Sequence, residues 1–233
     1  MTPLRIASVA ALNAVPGLVH GFERRLDPPV WESRDTSRSR VSAALAEAGR
    51  LLLLKQVHGC AVWAAPWQGL PEGDAAIAEQ PGLIVAVETA DCLPLLLVDP
   101  TRRAAAAVHA GWRGTAAGIA GRAVEALVAR GSRSADLVAA LGPGIGVCCY
   151  EVGEELRAAF AEDAAAVFRR GSRGKLHLDV RLANVRQLSR AGLTDDRIHQ
   201  LDVCTYCHPD LYYSFRREGR GAGRMLNYIG WRS

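Results

Sequence analysis

With 233 residues, 49% hydrophobic and 22% charged, the chain has an ordinary globular composition and enough length to bury a core without staples. A net charge of +4 is too small to make nucleic acid an expected partner, and no apolar run approaches the roughly 20 residues needed to cross a bilayer. The N-terminus lacks a basic stretch leading into a sustained apolar core, so a cytoplasmic location is expected, where the six cysteines serve as thiols or ligands rather than disulfides.

Residues 39–49 predict a helix that ends at Gly49. Residues 51–56 read as a buried strand running straight into His58, and a loop with Pro66, Gly69, Pro71 and Gly73 follows. Residues 83–88, 94–99 and 104–109 read as three further strands. Cys92 then falls in the turn between two of them, and His109 at the end of the third. Residues 115–129 read as one helix, with Ile119, Ala123 and Leu127 on a single face and Gly131 as the stop. Its free N–H groups would face the same region and favour an anion there. Residues 137–141 read as a strand, followed by Gly142-Pro143-Gly144-Ile145-Gly146. Residues 151–161 and 180–192 read as helices, and 211–215 and 224–229 as strands. No repeat and no linker divides the chain. The expectation is one α+β domain over 1–233 with a large mixed β-sheet flanked by helices.

Three segments carry the chemistry: Lys55-Gln56-Val57-His58-Gly59, Ala90-Asp91-Cys92-Leu93-Pro94 and Val108-His109-Ala110-Gly111-Trp112-Arg113-Gly114. Each sets one imidazole or thiol at a strand end or turn. Zinc held by three protein ligands keeps a fourth position for water or substrate, the arrangement of catalytic sites. His58, Cys92 and His109 are therefore the candidate ligands, if they meet in space, and Zn2+ is the candidate cofactor, with Cu2+ as the alternative. A metal-free alternative uses Cys92 as nucleophile and His109 as base. His58 separates the two, because a dyad needs only one histidine. The plain reading is three residues separately satisfied at turns.

Lys55, Gln56 and Asp91 stand beside these ligands, as partners, as substrate contacts or as acid and base; an ion pair at the sheet end is the plain reading for Lys55 and Asp91. Arg113, following His109, is placed to hold a phosphate through two hydrogen bonds, against a plain reading as a cap or surface charge. Arg216, in an aromatic stretch, is weighed the same way. The basic run 169–175 reads as a solvated loop. Gly142-Pro143-Gly144-Ile145-Gly146 reads as an anion cradle or a tight turn, and it lacks the lysine of a phosphate loop. Cys148, Cys149, Cys204 and Cys207 would make a structural zinc site by ligand type. Consecutive side chains diverge, however, so packed thiols are the expectation. Cys204-Thr-Tyr-Cys207-His208 superficially matches haem attachment, which the absent export signal argues against.

The three segments, in order, resemble the YfiH family, also called the laccase-domain or multicopper polyphenol oxidase family. The resemblance continues through Gly142-Pro-Gly-Ile-Gly-Val-Cys-Cys-Tyr-Glu-Val-Gly153, through Asn184, Gln187 and Leu188, and through Cys204-Thr-Tyr-Cys207, Phe215-Arg-Arg217 and Gly223-Arg-Met225. It implies an α+β fold and a zinc or copper site on His58, Cys92 and His109. It also implies purine nucleoside chemistry: phosphorolysis of adenosine, inosine, guanosine or methylthioadenosine, and deamination of adenosine. Some bacterial relatives are linked instead to hydrolysis of an amide in a wrongly built peptidoglycan precursor. On this reading Cys92, His109, Asp91 and Arg113 carry the reaction, with Asp91 protonating the leaving ammonia. Lys55, Gln56, Trp112, Tyr150 and Arg216 meet the nucleoside and phosphate, with Trp112 or Tyr150 stacked on the purine.

The chain departs from the family pattern in two places. After Val19-His-Gly-Phe-Glu-Arg-Arg25 the usual glycine- and serine-rich stretch and Ser-Leu-Asn segment are missing, and a shorter stretch within 26–40 replaces them. Val147 stands where proline is frequent. Oxygen-reducing copper chemistry fits poorly, because the chain has no His-x-His pair, six histidines in all, and only Met1 and Met225 as thioethers. A metal-holding module without catalysis is the remaining reading.

Overall fold

The computed structural model describes residues 4–26, 33–171 and 174–233. The most apolar part of the sequence folds into the strands Leu83–Thr89, Leu93–Asp99 and Ala104–Ala110. The last two pair antiparallel, with Leu95 opposite Val108 and Leu97 opposite Ala106, and all their residues are buried. Unbroken apolar runs of this kind belong to strands covered on both faces.

Among the described residues the strands divide among three sheets. The mixed six-stranded sheet runs, in spatial order, Ile198–Gln200, Val138–Leu141, Leu93–Asp99, Ala104–Ala110, Ala75–Ala78 and Val62–Ala64. The mixed five-stranded sheet runs Ile6–Ala7, Leu18–Glu23, Met225–Trp231, Leu83–Thr89 and Arg50–Leu52. Alternation along the central hairpin decides what each face meets. Leu96, Val98, Ala105 and Ala107 pack with Val85, Val87 and Ile229 of the other sheet. Leu95, Leu97, Ala106 and Val108 pack with residues of the helices Ile119–Ala129 and Val180–Arg190. Each fully buried leucine here contributes about 1.5–3 kcal/mol. The helix Arg34–Leu45 covers the outer face of the five-stranded sheet through Val41 and Leu45. The result is an α+β structure in four layers: helix, sheet, sheet, helices. Glu151–Val152, Leu176–Leu178 and Phe168–Arg170 form a small antiparallel sheet to one side.

Several elements differ from their sequence reading. The helix expected over 39–49 starts at Arg34, because Ser33 Oγ accepts from the Thr36 N–H at 3.1 Å and caps it there. The helix expected over 115–129 is two, Trp112–Ala116 and Ile119–Ala129, parted at Gly118 with φ +82°. The strand expected over 51–56 is only Arg50–Leu52, and Lys55 makes an isolated bridge to Glu72. The proline- and glycine-rich loop is flanked by two short strands, Val62–Ala64 and Ala75–Ala78. Residues 151–161 form a short strand and a 3-10 helix, Glu154–Phe160, rather than an α-helix. Residues 211–215 are not a strand: Ser214 Oγ accepts from the Arg217 N–H and starts the short helix Phe215–Glu218. Residues 27–32, within the divergent stretch 26–40, and residues 172–173 of the basic run lie outside the described residues. Among the described residues no helix is long and apolar enough to cross a membrane.

Candidate metal centre and its cavity

The ligand atoms of His58, Cys92 and His109 lie within 4.8 Å of one another. The two imidazoles meet edge to face, their centroids 4.9 Å apart at 75°. The chain brings them together where its two large sheets are joined. It leaves the five-stranded sheet at Thr89, turns through Asp91 with φ +87°, and enters the six-stranded sheet at Leu93. Cys92 stands in that turn. His109 lies opposite Pro94 in the hairpin. His58 sits past the Arg50–Leu52 strand with φ +60°, a left-handed backbone that non-glycine residues seldom adopt. His109 is buried, Cys92 partly buried and His58 exposed.

Asp74 organises this set, and motif reading passes over it. It is fully buried. Its carboxylate accepts from the backbone N–H groups of Val57, His58 and Gly59 at 3.2, 3.0 and 2.7 Å, and lies 2.8 Å from His109 Nδ1. One carboxylate therefore holds the His58 loop and orients the His109 ring. With the proton on Nδ1, the other ring nitrogen of His109 is free for a ligand. The available signal was an acidic residue opening the wholly apolar strand Ala75–Ala78, since a buried Asp needs partners.

Charges in the site follow from this geometry. Burial alone would raise Asp74, but His109 and the loop N–H groups hold it below its usual value. Burial would likewise raise Cys92, yet His109 and His58 bring its thiol down to about 6. Burial would lower His109, and the Cys92 thiolate and Asp74 carry it up to about 9. At neutral pH in the metal-free protein Cys92 and His109 thus form a thiolate–imidazolium pair. The donor set, two imidazoles and a thiolate with one ring fixed from behind, fits a divalent ion of the zinc class. Gly111 bounds the space between the ligands: a Cβ there would lie 3.1 Å from both Cys92 Sγ and His58 Cδ2.

The three residues line a cavity of about 710 Å³, within the range of small-molecule sites. Lys55, Gln56, Asp91, Trp112, Tyr150 and Arg216 line it too. Lys55 is exposed and paired with Glu72 at 2.8 Å. The Gln56 amide exchanges hydrogen bonds with the Glu88 backbone, donating to its carbonyl at 2.8 Å and accepting from its N–H at 2.7 Å. Burial, with the nearby Cys92 charge, pushes Tyr150 up to about 12, and the Arg216 guanidinium lies 5.3 Å from its ring.

Asp91 and Arg113 have defined partners. Asp91 accepts from Thr205 Oγ1 at 2.6 Å, Ser214 Oγ at 3.0 Å and Arg216 N at 2.6 Å. These three hydrogen bonds tie the 205–216 segment to the turn that carries Cys92. Arg113 does not line the cavity: it is exposed, with its guanidinium 4.4 Å from the centroid of the Trp112 ring. The helix it belongs to has five residues, so its dipole adds little. Arg34, Arg38, Arg224 and Phe215, which sequence reasoning did not single out individually, complete the walls. Arg38 is committed to Glu88 through two hydrogen bonds.

The family model described as multi-copper polyphenol oxidoreductase laccase matches residues 32–232. A Deinococcus radiodurans protein named purine nucleoside phosphorylase is 41% identical over 211 residues, covering 89% of this chain and 80% of that protein. A Mus musculus protein named purine nucleoside phosphorylase LACC1 is 29% identical over 232 residues, covering 97% of this chain and 53% of that protein, so the chain spans about half of this longer relative. The crystal structure of YlmD from Geobacillus stearothermophilus is similar with a TM-score of 0.87 and 28% identity, covering 99% of this chain and all of that one.

Proposed function

The chain belongs to the laccase-like YfiH family, and on that premise we propose that it is a metal-dependent purine nucleoside phosphorylase that also deaminates adenosine. The meeting of His58, Cys92 and His109 in one cavity of nucleoside size carries this reading. The substrates are adenosine, inosine, guanosine or methylthioadenosine, with inorganic phosphate.

Phosphorolysis breaks the bond from the sugar C1′ to the purine nitrogen and joins C1′ to a phosphate oxygen, while the departing nitrogen takes a proton. The cavity offers what that reaction needs to bind. Tyr150, Trp112 and Phe215 supply flat faces for the purine. Arg216 and Arg224 line the cavity and bring positive charge for phosphate. Asp91 holds the Arg216 backbone in place, and Asp74 keeps His109 turned towards Cys92. Bound zinc would supply Lewis-acid polarisation of a substrate group. Zinc suits this donor set better than electron-transfer copper, which commonly adds an axial Met; Met225 is buried with Ala90, Tyr212 and Tyr213.

A second reading has its own observation. Cys92, His109 and Asp74 stand in the nucleophile–base–orienter order of a cysteine hydrolase, which would serve hydrolysis at the same site without metal. Product analysis separates the readings. Zinc-loaded protein given adenosine should release adenine and ribose 1-phosphate only when phosphate is present, and inosine if it deaminates. Neither product, from folded and metal-loaded protein, would reject the nucleoside reading.

A further inference from the structure

Four more cysteines converge away from the triad and share no residue with it. Cys148 and Cys149 lie in the turn after the glycine-rich loop 142–146, and Cys204 and Cys207 lie in the segment after the strand Ile198–Gln200. Their sulfurs all lie within 4.8 Å of one another. Cys207 Sγ is 3.8 Å from Cys148 Sγ and 3.4 Å from Cys149 Sγ. All four are free thiols. Sulfurs placed about 2.3 Å from a tetrahedral zinc are about 3.8 Å from each other, and the two Cys207 distances are close to such an edge.

Simple packing does not account for the cluster. Cys148 and Cys207 are exposed, so no apolar core gathers them. Divergence of adjacent side chains, which argued against a joint role for Cys148 and Cys149, holds for extended backbone. Here both residues sit in a turn closed by the N–H groups of Cys149 and Tyr150, which donate to the Gly146 carbonyl, each at 3.0 Å. Gly146 also donates its own N–H to Cys204 Sγ at 3.2 Å. A Cβ on Gly146 would lie 3.2 Å from both Cys148 Sγ and Cys204 Cβ, so the glycine lets the sulfurs close up.

We propose that Cys148, Cys149, Cys204 and Cys207 form a second metal site, a closed four-thiolate site for a zinc-class divalent ion with a structural role. Four protein ligands leave no open position, which is the mark of structural zinc. What it joins gives the site a purpose. One loop carries Ile145 and Tyr150 into the cavity; the other leads to Phe215 and Arg216 on the same cavity wall. Between them, Thr205 Oγ1 donates to Asp91 at 2.6 Å. The ion would fix the wall that meets purine and phosphate, so its loss should raise the KM for nucleoside more than it lowers kcat.

Elemental analysis of reduced, zinc-loaded protein tests this. The wild type should hold two zinc ions per chain, one for each cluster. Cys207→Ser and Cys92→Ala should each hold one, and the double variant none. With cobalt in place of zinc, the strong sulfur-to-metal absorption should persist in Cys92→Ala and collapse in Cys207→Ser. Cys148→Ser, also at an exposed position, provides the same count if Cys207→Ser fails to fold. A single zinc in the wild type that Cys207→Ser and Cys148→Ser both retain would overturn the proposal. A disulfide between Cys207 and Cys148 or Cys149 in freshly isolated protein, found by peptide mass spectrometry, would overturn it too. Retention of the four-cysteine zinc in a Cys92→Ala protein with no nucleoside activity would leave this site standing independently of the triad.

Discussion

Asp74 Oδ1 lies 2.8 Å from Nδ1 of His109, and both side chains are buried. The same carboxylate takes the three successive N–H groups that shape the His58 loop. Two of the three candidate ligands are thus set by one residue that is not itself in the ligand set.

Asp74→Asn should therefore weaken zinc binding at the triad by about 10–100-fold, the usual cost of losing the partner behind a ligating histidine. Zinc titration with a competing chelator measures it, and circular dichroism checks that the fold is kept. Wild-type affinity in a folded variant would mean that His109 is oriented by other contacts.

In metal-free protein the Cys92 thiol, held at about 6 by His109 and His58 against the effect of burial, should stay reactive well below ordinary thiol pH. Iodoacetamide labelling of Cys92 should be near its plateau at pH 7 and fall as pH drops through about 6, with Cys92→Ala giving the background. Labelling that rises only above pH 8 would contradict the thiolate–imidazolium pair.

Gly111→Ala should impair metal binding without an unfavourable backbone angle, since φ at Gly111 is −72°. Its methyl would stand 3.1 Å from Cys92 Sγ and His58 Cδ2. Calorimetric zinc titration should show weaker binding at the triad. Unchanged affinity would show that the ligands have room to spread.

Arg216→Ala should raise the KM for phosphate by about tenfold or more, the scale of one lost charge-assisted pair. Arg113→Ala should change it by less than about threefold, because Arg113 stacks on Trp112 outside the cavity. Steady-state kinetics at varied phosphate reads both, and the opposite ranking would return the phosphate to Arg113.

Asp163, just before the short helix Ala164–Val167, ties that segment to helix Val180–Arg190 through Arg186 and Arg190. Its hydrogen bonds with Arg190 lead in holding its carboxyl below the usual range, burial opposes, and Arg186 assists. The folded state then binds the proton more weakly than the unfolded state. The stabilisation is present above the unfolded carboxylate value of about 4 and is lost as pH falls through the lower folded value. Asp163→Asn should cost about 1 kcal/mol at pH 7, allowing for the solvent around both arginines. Urea melts should show that gap closing at acid pH; a gap that is the same at pH 7 and pH 3 would contradict the assignment.

The strands beside Cys92 and His109 were legible because both are unbroken apolar runs buried on both faces, whereas the strand before His58 is shorter and only partly buried. The role of Asp74 was not, because its partners lie 16 residues before it and 35 after it and only the fold unites them. Arg34 and Arg38 escaped notice because the Ser33 cap starts their helix earlier than the apolar pattern does. The approach of Cys148 and Cys149 to Cys204 and Cys207 depends on the turn after Gly146, which the extended-chain alternation of side chains does not reveal. The break at Gly118 and the cap at Ser214 are local choices that composition alone does not reveal.

His58→Ala offers the most direct test, because a metal centre needs His58 and a cysteine–histidine dyad does not. Zinc bound at the triad and phosphorolysis of adenosine should be measured on the same preparation. Joint loss of that zinc and of ribose 1-phosphate formation is the expected result. Full turnover in a variant that has lost the triad zinc would contradict a metal-dependent site.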